Sequence, residues 1–572
     1  MNALLVLYAG QLGSEAFQPL YNGKNSLVLS LEQAQKFPGV AKTVVFGSEN
    51  ARMGGNSLVS ALPPGTIVEN RPSWTRKSLL EAIAVQQEGF DFAYFAWADC
   101  PFLDPVLTSK IADRHVRYAA EYSYADGWPY GLAPELLSAG TAAILAKILG
   151  DDDGPVERDM LFSVIQKDIN EFDIETEIST VDLRCHRLNL CADSKRNLLL
   201  LRRFIQNASA PCVSKSPEDL TRRHGGTEDT EDTGREEESL PDTAMVEKII
   251  AERPEILRTL PNFYPVQVYS GCPQSCVICP YPAIMGGELT GQKDFMDAEK
   301  FELLLEKIID FSGDAVIDLS LWGELSLHPQ KMKLIELVLQ RPALALVIET
   351  SGLGWKSEEL ELCSGLSQKA KSNADRISPM QPLSWIVSLD TTDPQRYKEL
   401  RGPGFAEAVD FANKVLELFP KDAYVQAVRT AGAEDDIEKF FRSWKENAGA
   451  ENIIIQKYND YCGFLPRRQA SDISPVNRQP CWHLMRDMPV LIDGTVLLCA
   501  ENLAPVHQAG APAAQQKNGG DEKSGDDRVM GNVFSASLED IWENGNRFYY
   551  QQCEKKYEGS CQACDEYYTY NF

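Results

Sequence analysis

Three cysteines in one short loop, Cys272, Cys276 and Cys279, carry the most reactive chemistry in this chain. They stand at C-x3-C-x2-C spacing in Gly271-Cys272-Pro273-Gln274-Ser275-Cys276-Val277-Ile278-Cys279-Pro280, after an extended apolar stretch at residues 264–270. Thiolates so close can converge on one metal centre. A cubane iron–sulfur cluster normally takes four cysteines. Three local ligands leave one iron open to a substrate or cofactor, much as a catalytic zinc keeps a vacant position. A structural zinc site, or three unconnected thiols, are the alternatives that spacing leaves open. A second set lies near the end of the chain. Cys481 is followed by Gly494-Thr-Val-Leu-Leu-Cys499, a G-x4-C pattern on an expected hairpin, and by Cys561-Gln-Ala-Cys564. Four such thiolates can close one cubane with no open site, with zinc on the same four as the structural alternative. Cys553 is a spare in this region. Cys462 follows the last expected barrel strand and could serve as a ligand or radical relay. Cys363, Cys185, His186 and Cys191 read as ordinary packing or surface residues.

Composition bounds the rest. A length of 572 residues suggests about three domains, and 44% hydrophobic residues suffice for several cores. A net charge of −27 argues against nucleic acid or an anionic membrane as a standing partner, because like charges repel. Fourteen cysteines that cluster by motif fit metal ligation in a reducing compartment better than a disulfide scaffold. The apolar N-terminal stretch lacks a basic n-region and a credible cleavage site, so it reads as a first strand. No apolar run reaches the roughly 18 residues that a membrane helix needs. A cytoplasmic location is the expectation.

The elements that must position these residues alternate strand and helix. Residues 1–205 hold expected strands at 4–9, 42–46 and 92–96, separated by helical stretches, which suggests a mostly parallel sheet. Ligands on such sheets gather at the carboxyl ends of strands, where Asp99-Cys100-Pro101-Phe102 falls. Residues 206–245 are polar, charged and poor in aromatics, as a disordered acidic linker is. Residues 246–470 carry six expected strands, at 264–270, 315–321, 343–349, 386–389, 424–428 and 452–456, with helical faces at 296–311 and 332–339. That repeat points to a partial (β/α)6 barrel with its site at the strand ends. Residues 471–572 form a small cysteine-bearing domain, interrupted at 504–527 by an expected disordered insertion.

The cysteine loop resembles the cluster loop of the radical S-adenosylmethionine (SAM) superfamily, although Ile278 stands where relatives often carry an aromatic residue. The resemblance implies that a [4Fe-4S] cluster on Cys272, Cys276 and Cys279 binds SAM and cleaves it reductively to a 5′-deoxyadenosyl radical, with the hard chemistry belonging to the cofactor. Trp322-Gly323-Glu324-Leu325, Glu349-Thr350-Ser351-Gly352 and Ser388-Leu389-Asp390 with Leu400-Arg401-Gly402 are similar to segments that hold SAM, which implies contacts from Gly323, Glu324, Ser351, Ser388 and Arg401. His328 reads as a structural turn residue. The tail resembles the SPASM or shorter twitch extension, which implies one auxiliary [4Fe-4S] cluster on Cys481, Cys499, Cys561 and Cys564.

The head, through Ala9-Gly10, Pro19-Leu20-Tyr21-Asn22-Gly23-Lys24 and Asp99-Cys100-Pro101-Phe102, resembles cytidylyltransferases and other nucleotide-diphospho-sugar transferases. In those relatives an aspartate holds a divalent metal. Here Gly13 is followed by Ser14 and Glu15 where a basic residue is usual, so the domain reads as a degenerate copy, and Lys24 reads as a solvated lysine rather than a phosphate ligand. The whole resembles the spiro-SPASM proteins of spirochaetes. The expected activity is radical modification of a peptide, protein or related substrate, with flavodoxin or ferredoxin as electron donor. Radical chemistry on a nucleotide-linked sugar or lipid held by the head is an alternative, and so is a non-catalytic iron–sulfur scaffold.

Overall fold

A computed structural model describes residues 1–48, 62, 66–150, 153–208, 240–284, 294–373, 376, 380–471, 475, 477–501, 503 and 528–568. Most of the acidic linker and all of the 504–527 insertion lie outside the described residues. The chain divides into two compact units, Met1–Thr259 and Leu260–Phe572.

The first unit contains strands β1 (Ala3–Ala9), β2 (Pro19–Tyr21), β3 (Lys24–Asn25), β4 (Val40–Ser48), β5 (Ile67–Arg71), β6 (Phe92–Trp97), β7 (Tyr122–Asp126), β8 (Glu135–Ser138) and β9 (Ile174–Ile178). Seven of them form one sheet in the order β5-β4-β1-β6-β8-β7-β9, while β2 and β3 pair as a separate hairpin. β1 reads Ala-Leu-Leu-Val-Leu-Tyr-Ala and is buried along its whole length. A run apolar on both faces suits a central parallel strand, and β1 lies parallel to β4 on one side and β6 on the other. β8 is the antiparallel exception, paired with β6 and β7. The helix Thr243–Glu252 falls largely within the stretch assigned from sequence to the barrel. It belongs to this first unit, where the Thr243 N–H donates to Asp104 at 2.9 Å and the Trp128 indole donates to Glu247 at 2.7 Å.

The second unit holds β10 (Phe263–Pro265), β11 (Ala315–Asp318), β12 (Leu344–Thr350), β13 (Leu383–Ser388), β14 (Ala423–Arg429) and β15 (Ile453–Lys457). They form a six-stranded sheet in sequence order, parallel at every step. This is the expected partial barrel; five strands fall within a few residues of their expected places, whereas the first, expected at 264–270, is only Phe263–Pro265. Its helices follow from capping and periodicity. Ala298–Ser312 starts at Asp297, whose carboxylate accepts from the Lys300 N–H at 2.8 Å, an N-cap that satisfies an orphan donor. Phe301, Leu304, Leu305 and Ile308 then share its buried face.

The tail is not a separate body. After β15, the extended segment Asp487–Val490 runs beside β10: the Met488 N–H donates to the Phe263 carbonyl at 3.0 Å and the Val490 N–H to the Pro265 carbonyl at 2.8 Å. A tight turn at Gly494 (φ 88°) leads to β16 (Thr495–Leu497), which pairs antiparallel with β17 (Val529–Asn532). Leu484, Val490, Val496, Leu538, Ile541 and Trp542 join the barrel residues in one apolar core.

Trp385 on β13 is the largest fully buried side chain of this core and meets Trp355, Phe411 and Phe419 at ring-centroid distances of 5.1, 5.9 and 6.0 Å. Trp385→Ala is expected to cost about 3–5 kcal/mol, read as a lowered urea midpoint of the second unit, whereas Trp385→Phe keeps most of the contacts and loses less. An unchanged midpoint for the alanine variant would contradict this packing.

Candidate functional site

The cysteine loop follows β10 after the segment 266–270, beyond the carboxyl end of that strand. Its own backbone contributes little to holding it; neighbouring strand ends do that. The Glu324 N–H donates to the Gly271 carbonyl at 2.8 Å, Ser275 N–H to the Arg401 carbonyl at 3.2 Å, and Val277 N–H to the Leu400 carbonyl at 2.9 Å. The loop is therefore pinned by the segments that leave β11 and β13. Gln274, buried within it, donates from Nε2 to the Tyr397 hydroxyl at 2.7 Å and accepts at Oε1 from Arg401 Nε at 3.1 Å. Arg401 Nη1 pairs with Asp390 at 2.6 Å, and the other oxygen of Asp390 accepts from the Val428 N–H at 2.9 Å. One polar chain thus runs from the loop across the ends of β13 and β14. Asp390 holds a left-handed backbone (φ 66°) to complete it, a cost that surrounding structure must sustain.

The three loop thiols are half-buried and electrostatically coupled. Burial, the Glu324 carboxylate and the neighbouring thiols push Cys272 up to about 12. Burial and Cys276 do the same to Cys279, also to about 12. Burial raises Cys276 as well, opposed by the Arg401 guanidinium beside it. Such thiols stay protonated on their own and ionise only with a metal to bind them, so loading releases protons. Among the described residues, no group of three or more His, Cys, Asp and Glu side chains closes on a single-ion site. A cubane places each thiolate on a different iron, and the coupled but separate loop thiols fit that donor set.

The other expected SAM contacts converge on the same strand ends. Glu324 is buried. Its carboxylate accepts from the Thr350 hydroxyl at 2.6 Å, the Ser351 N–H at 2.9 Å and the Ser351 hydroxyl at 2.7 Å, and so ties the β11 end to the β12 end. The Ser388 hydroxyl and Gln426 amide both donate to Glu349 at 2.7 Å. Gly323 has no room for a side chain: a Cβ there would stand 2.0 Å from the Tyr269 carbonyl oxygen. His328 donates from Nε2 to the Met296 carbonyl at 2.9 Å and accepts at Nδ1 from the Gln330 N–H at 3.0 Å, the turn role expected of it. Gln274 was not singled out in the sequence, although its place inside the cysteine loop was a signal.

The second cysteine set also comes together. Cys481 feels the charges of Cys564 and Cys561, and Cys499 those of Cys481 and Cys564. Backbone N–H groups of Glu501 and Glu566 donate to the sulfurs of Cys499 and Cys564, each at 3.4 Å. Lys457 at the end of β15 pairs with Asp565 at 2.8 Å and Glu566 at 2.5 Å, which anchors the CxxC segment. The Cys462 thiol lies near this set, and its influence holds Cys564 below its usual value despite burial. Tyr461 and Phe464 pack with Cys272, Cys279, Tyr281, Trp322 and Leu497 in one apolar cluster beside the first cysteine loop.

In the first unit Asp99 is 2% exposed and bound by Arg158 through two nitrogens, Nη1 to Oδ1 at 3.2 Å and Nη2 to Oδ2 at 2.6 Å. The same Nη2 reaches Asp193 at 3.1 Å, and the guanidinium lies 4.4 Å from the Trp97 ring centre. Lys24 pairs with Glu32 at 2.8 Å on the surface, as a solvated lysine does. Cys185 is exposed, and Cys191 is buried with its thiol 3.2 Å from Asp193.

Residues 481–565 match the SPASM family, described as an iron–sulfur cluster-binding domain. An uncharacterised protein of Treponema pallidum is 32% identical over 422 residues, which cover 72% of this chain and 98% of that protein. Among solved structures, the chain is similar to Streptococcus suis SuiB bound to the precursor peptide SuiA, at 14% identity over 57% of this chain and 74% of that one, TM-score 0.36. It is also similar to a cytidylyltransferase from Leptospira borgpetersenii, at 17% identity over 36% of this chain and 86% of that one, TM-score 0.30.

Gly323→Ala is expected to push the β11 end away from Tyr269 and loosen the cysteine loop. After anaerobic reconstitution it should bind about four fewer irons than the parent, while the auxiliary set stays loaded. Iron content equal to the parent's would show that the close approach is dispensable.

Proposed function

We propose that this chain, which belongs to one family with its Treponema pallidum relative and carries a SPASM iron–sulfur cluster-binding match, is a radical SAM enzyme that modifies a peptide or protein substrate through a carbon radical. The observation that carries this reading is the loop of Cys272, Cys276 and Cys279 held at the mouth of a six-stranded parallel sheet. When bound there, a [4Fe-4S] cluster and SAM supply reductive cleavage to a 5′-deoxyadenosyl radical. The chain's own residues do the rest. Cys272, Cys276 and Cys279 ligate. Arg401, charged and fixed between Asp390 and Gln274, sets a positive charge beside Cys276, suited to a carboxylate such as that of SAM. Glu324, Thr350 and Ser351 lock the β11 and β12 ends into a floor, with Gly323 giving close backbone approach. Ser388 and Gln426 keep Glu349 in place on the next two strands. Tyr281, Trp322 and Tyr461 line an apolar wall that excludes water from reactive species.

Cys481, Cys499, Cys561 and Cys564 would hold an auxiliary [4Fe-4S] cluster, whose chemistry there would be one-electron redox or substrate anchoring. A peptide substrate is favoured by the SPASM match. A flavodoxin or ferredoxin is the proposed electron donor. A nucleotide-linked substrate on the first unit is disfavoured by the Arg158–Asp99 pair, which puts an internal cation where a metal-bound phosphate would need a free carboxylate.

Anaerobically reconstituted protein is expected to hold about eight irons and to release 5′-deoxyadenosine with dithionite and SAM. Cys272→Ala/Cys276→Ala/Cys279→Ala should keep about four irons and release none. Full iron loading of the parent without 5′-deoxyadenosine would favour a non-catalytic scaffold.

A further inference from the structure

Two carboxylates and one guanidinium meet at one corner of the first unit, and every carboxylate oxygen there has a partner within the chain. Asp99 follows β6, Arg158 lies just before the helix Met160–Ile165, and Asp193 lies just before the helix Lys195–Ala208. Arg158 Nη1 donates to Asp99 Oδ1 at 3.2 Å. Its Nη2 donates to Asp99 Oδ2 at 2.6 Å and to Asp193 Oδ2 at 3.1 Å. Asp193 Oδ1 accepts from the Asn197 amide at 2.7 Å, and the Cys191 thiol donates to Oδ2 at 3.2 Å. Trp97 and Tyr130 flank the guanidinium, at 4.4 and 5.3 Å to their ring centres, and hold it in place. The backbone is fixed as well: the Asp99 carbonyl accepts from the Ser26 hydroxyl and from the Ala192 N–H, each at 2.9 Å.

The nucleotidyltransferase resemblance of this unit implies a divalent cation on Asp99. The residues present do not fit one. Such a cation binds carboxylate oxygens at about 2.0–2.6 Å, and Nη2 already stands between Asp99 Oδ2 and Asp193 Oδ2. The glycine loop is equally unsuited to the cation's usual companion. A Cβ on Gly13 would lie 3.0 Å from a Glu15 carboxylate oxygen and 3.8 Å from the Asp193 carbonyl oxygen. An acidic side chain therefore sits beside this corner, where a triphosphate would need positive charge. We infer that Arg158 is a built-in substitute for the metal. Its planar fork ties together three segments that a shared cation would otherwise bridge, and the unit keeps its sheet without metal-dependent nucleotidyl transfer. Asp99 is sealed from solvent, whereas Arg158 and Asp193 are partly open, so an ion can reach the carboxylates once the guanidinium is removed.

Manganese titration of the full chain, followed by electron paramagnetic resonance, should detect no Asp99-dependent site. Arg158→Ser frees two carboxylates and should create one, which Asp99→Asn/Arg158→Ser removes. Manganese should also raise the urea midpoint of the first unit in the Arg158→Ser chain but not in the double variant, since a ligand stabilises the state that binds it. Arg158→Lys keeps the charge and loses the fork, so its midpoint should fall below the parent's without any response to manganese. This lysine chain decides the matter where the serine chain does not fold. A manganese site in the parent that Asp99→Asn abolishes overturns the inference. So does an Arg158→Ser chain that stays folded by circular dichroism yet gains no site, and so does an Arg158→Lys chain as stable as the parent.

Discussion

Partial burial of three thiols in a place where they resist ionisation is the constraint on which the second unit depends. A buried thiolate without a counter-charge is unfavourable, and the neighbouring Glu324 adds to the penalty at Cys272. Arg401 is the opposing charge, set beside Cys276 by Asp390. The balance leaves the loop neutral when free and responsive to a metal that supplies positive charge. Holding the loop therefore falls to bonds that do not depend on charge, the backbone contacts from Glu324, Leu400 and Arg401. A metal entering such a loop meets ligands already near their positions, so less of its binding energy goes into ordering them.

The parallel sheet makes this arrangement possible. Each strand end delivers one short segment to the same mouth, and side chains on adjacent ends bond sideways: Glu324 to Ser351, Ser388 to Glu349, Asp390 to Val428. The mouth is thus a ring of cross-strand bonds rather than a set of independent loops. The tail extends it. Because Asp487–Val490 adds to the β10 edge, the strand before the cysteine loop is no longer exposed. The Gln267 N–H, next along, donates to Val490 at 2.9 Å. An edge strand left bare would invite unwanted pairing; here it carries the second cysteine set instead.

Much of this was legible in the sequence, for identifiable reasons. β1 and β12 are continuous apolar runs, Ala-Leu-Leu-Val-Leu-Tyr-Ala and Leu-Ala-Leu-Val-Ile-Glu-Thr, and such runs announce doubly buried parallel strands. The helix Ala298–Ser312 declares itself through its spacing and its Asp297 cap. Cysteines at fixed spacings announce their sets. Pairings between distant segments gave no local signal. Arg158 lies 59 residues beyond Asp99 in an unremarkable polar stretch, and Gln274 meets Arg401 across 127 residues. Cys462 lies near Cys564 in the structure although 102 residues and a hairpin separate the two in sequence. The helix Thr243–Glu252 was placed with the barrel because composition marks where a linker ends, not the surface on which the next helix packs.

The two units treat the same architectural opportunity in opposite ways. Both present charged side chains at carboxyl ends of parallel strands, where ligands gather. In the second unit the charges are arranged to leave thiols in want of a metal. In the first, Arg158 satisfies Asp99 with a bidentate pair, and the pair is nearly closed off from solvent on the Asp99 side. A carboxylate so paired has little reason to exchange its partner for a hydrated cation, since both must be desolvated and one is already in place. The sheet does not depend on the charges at its rim, because the buried runs of β1, β4 and β6 that hold it together are independent of those residues.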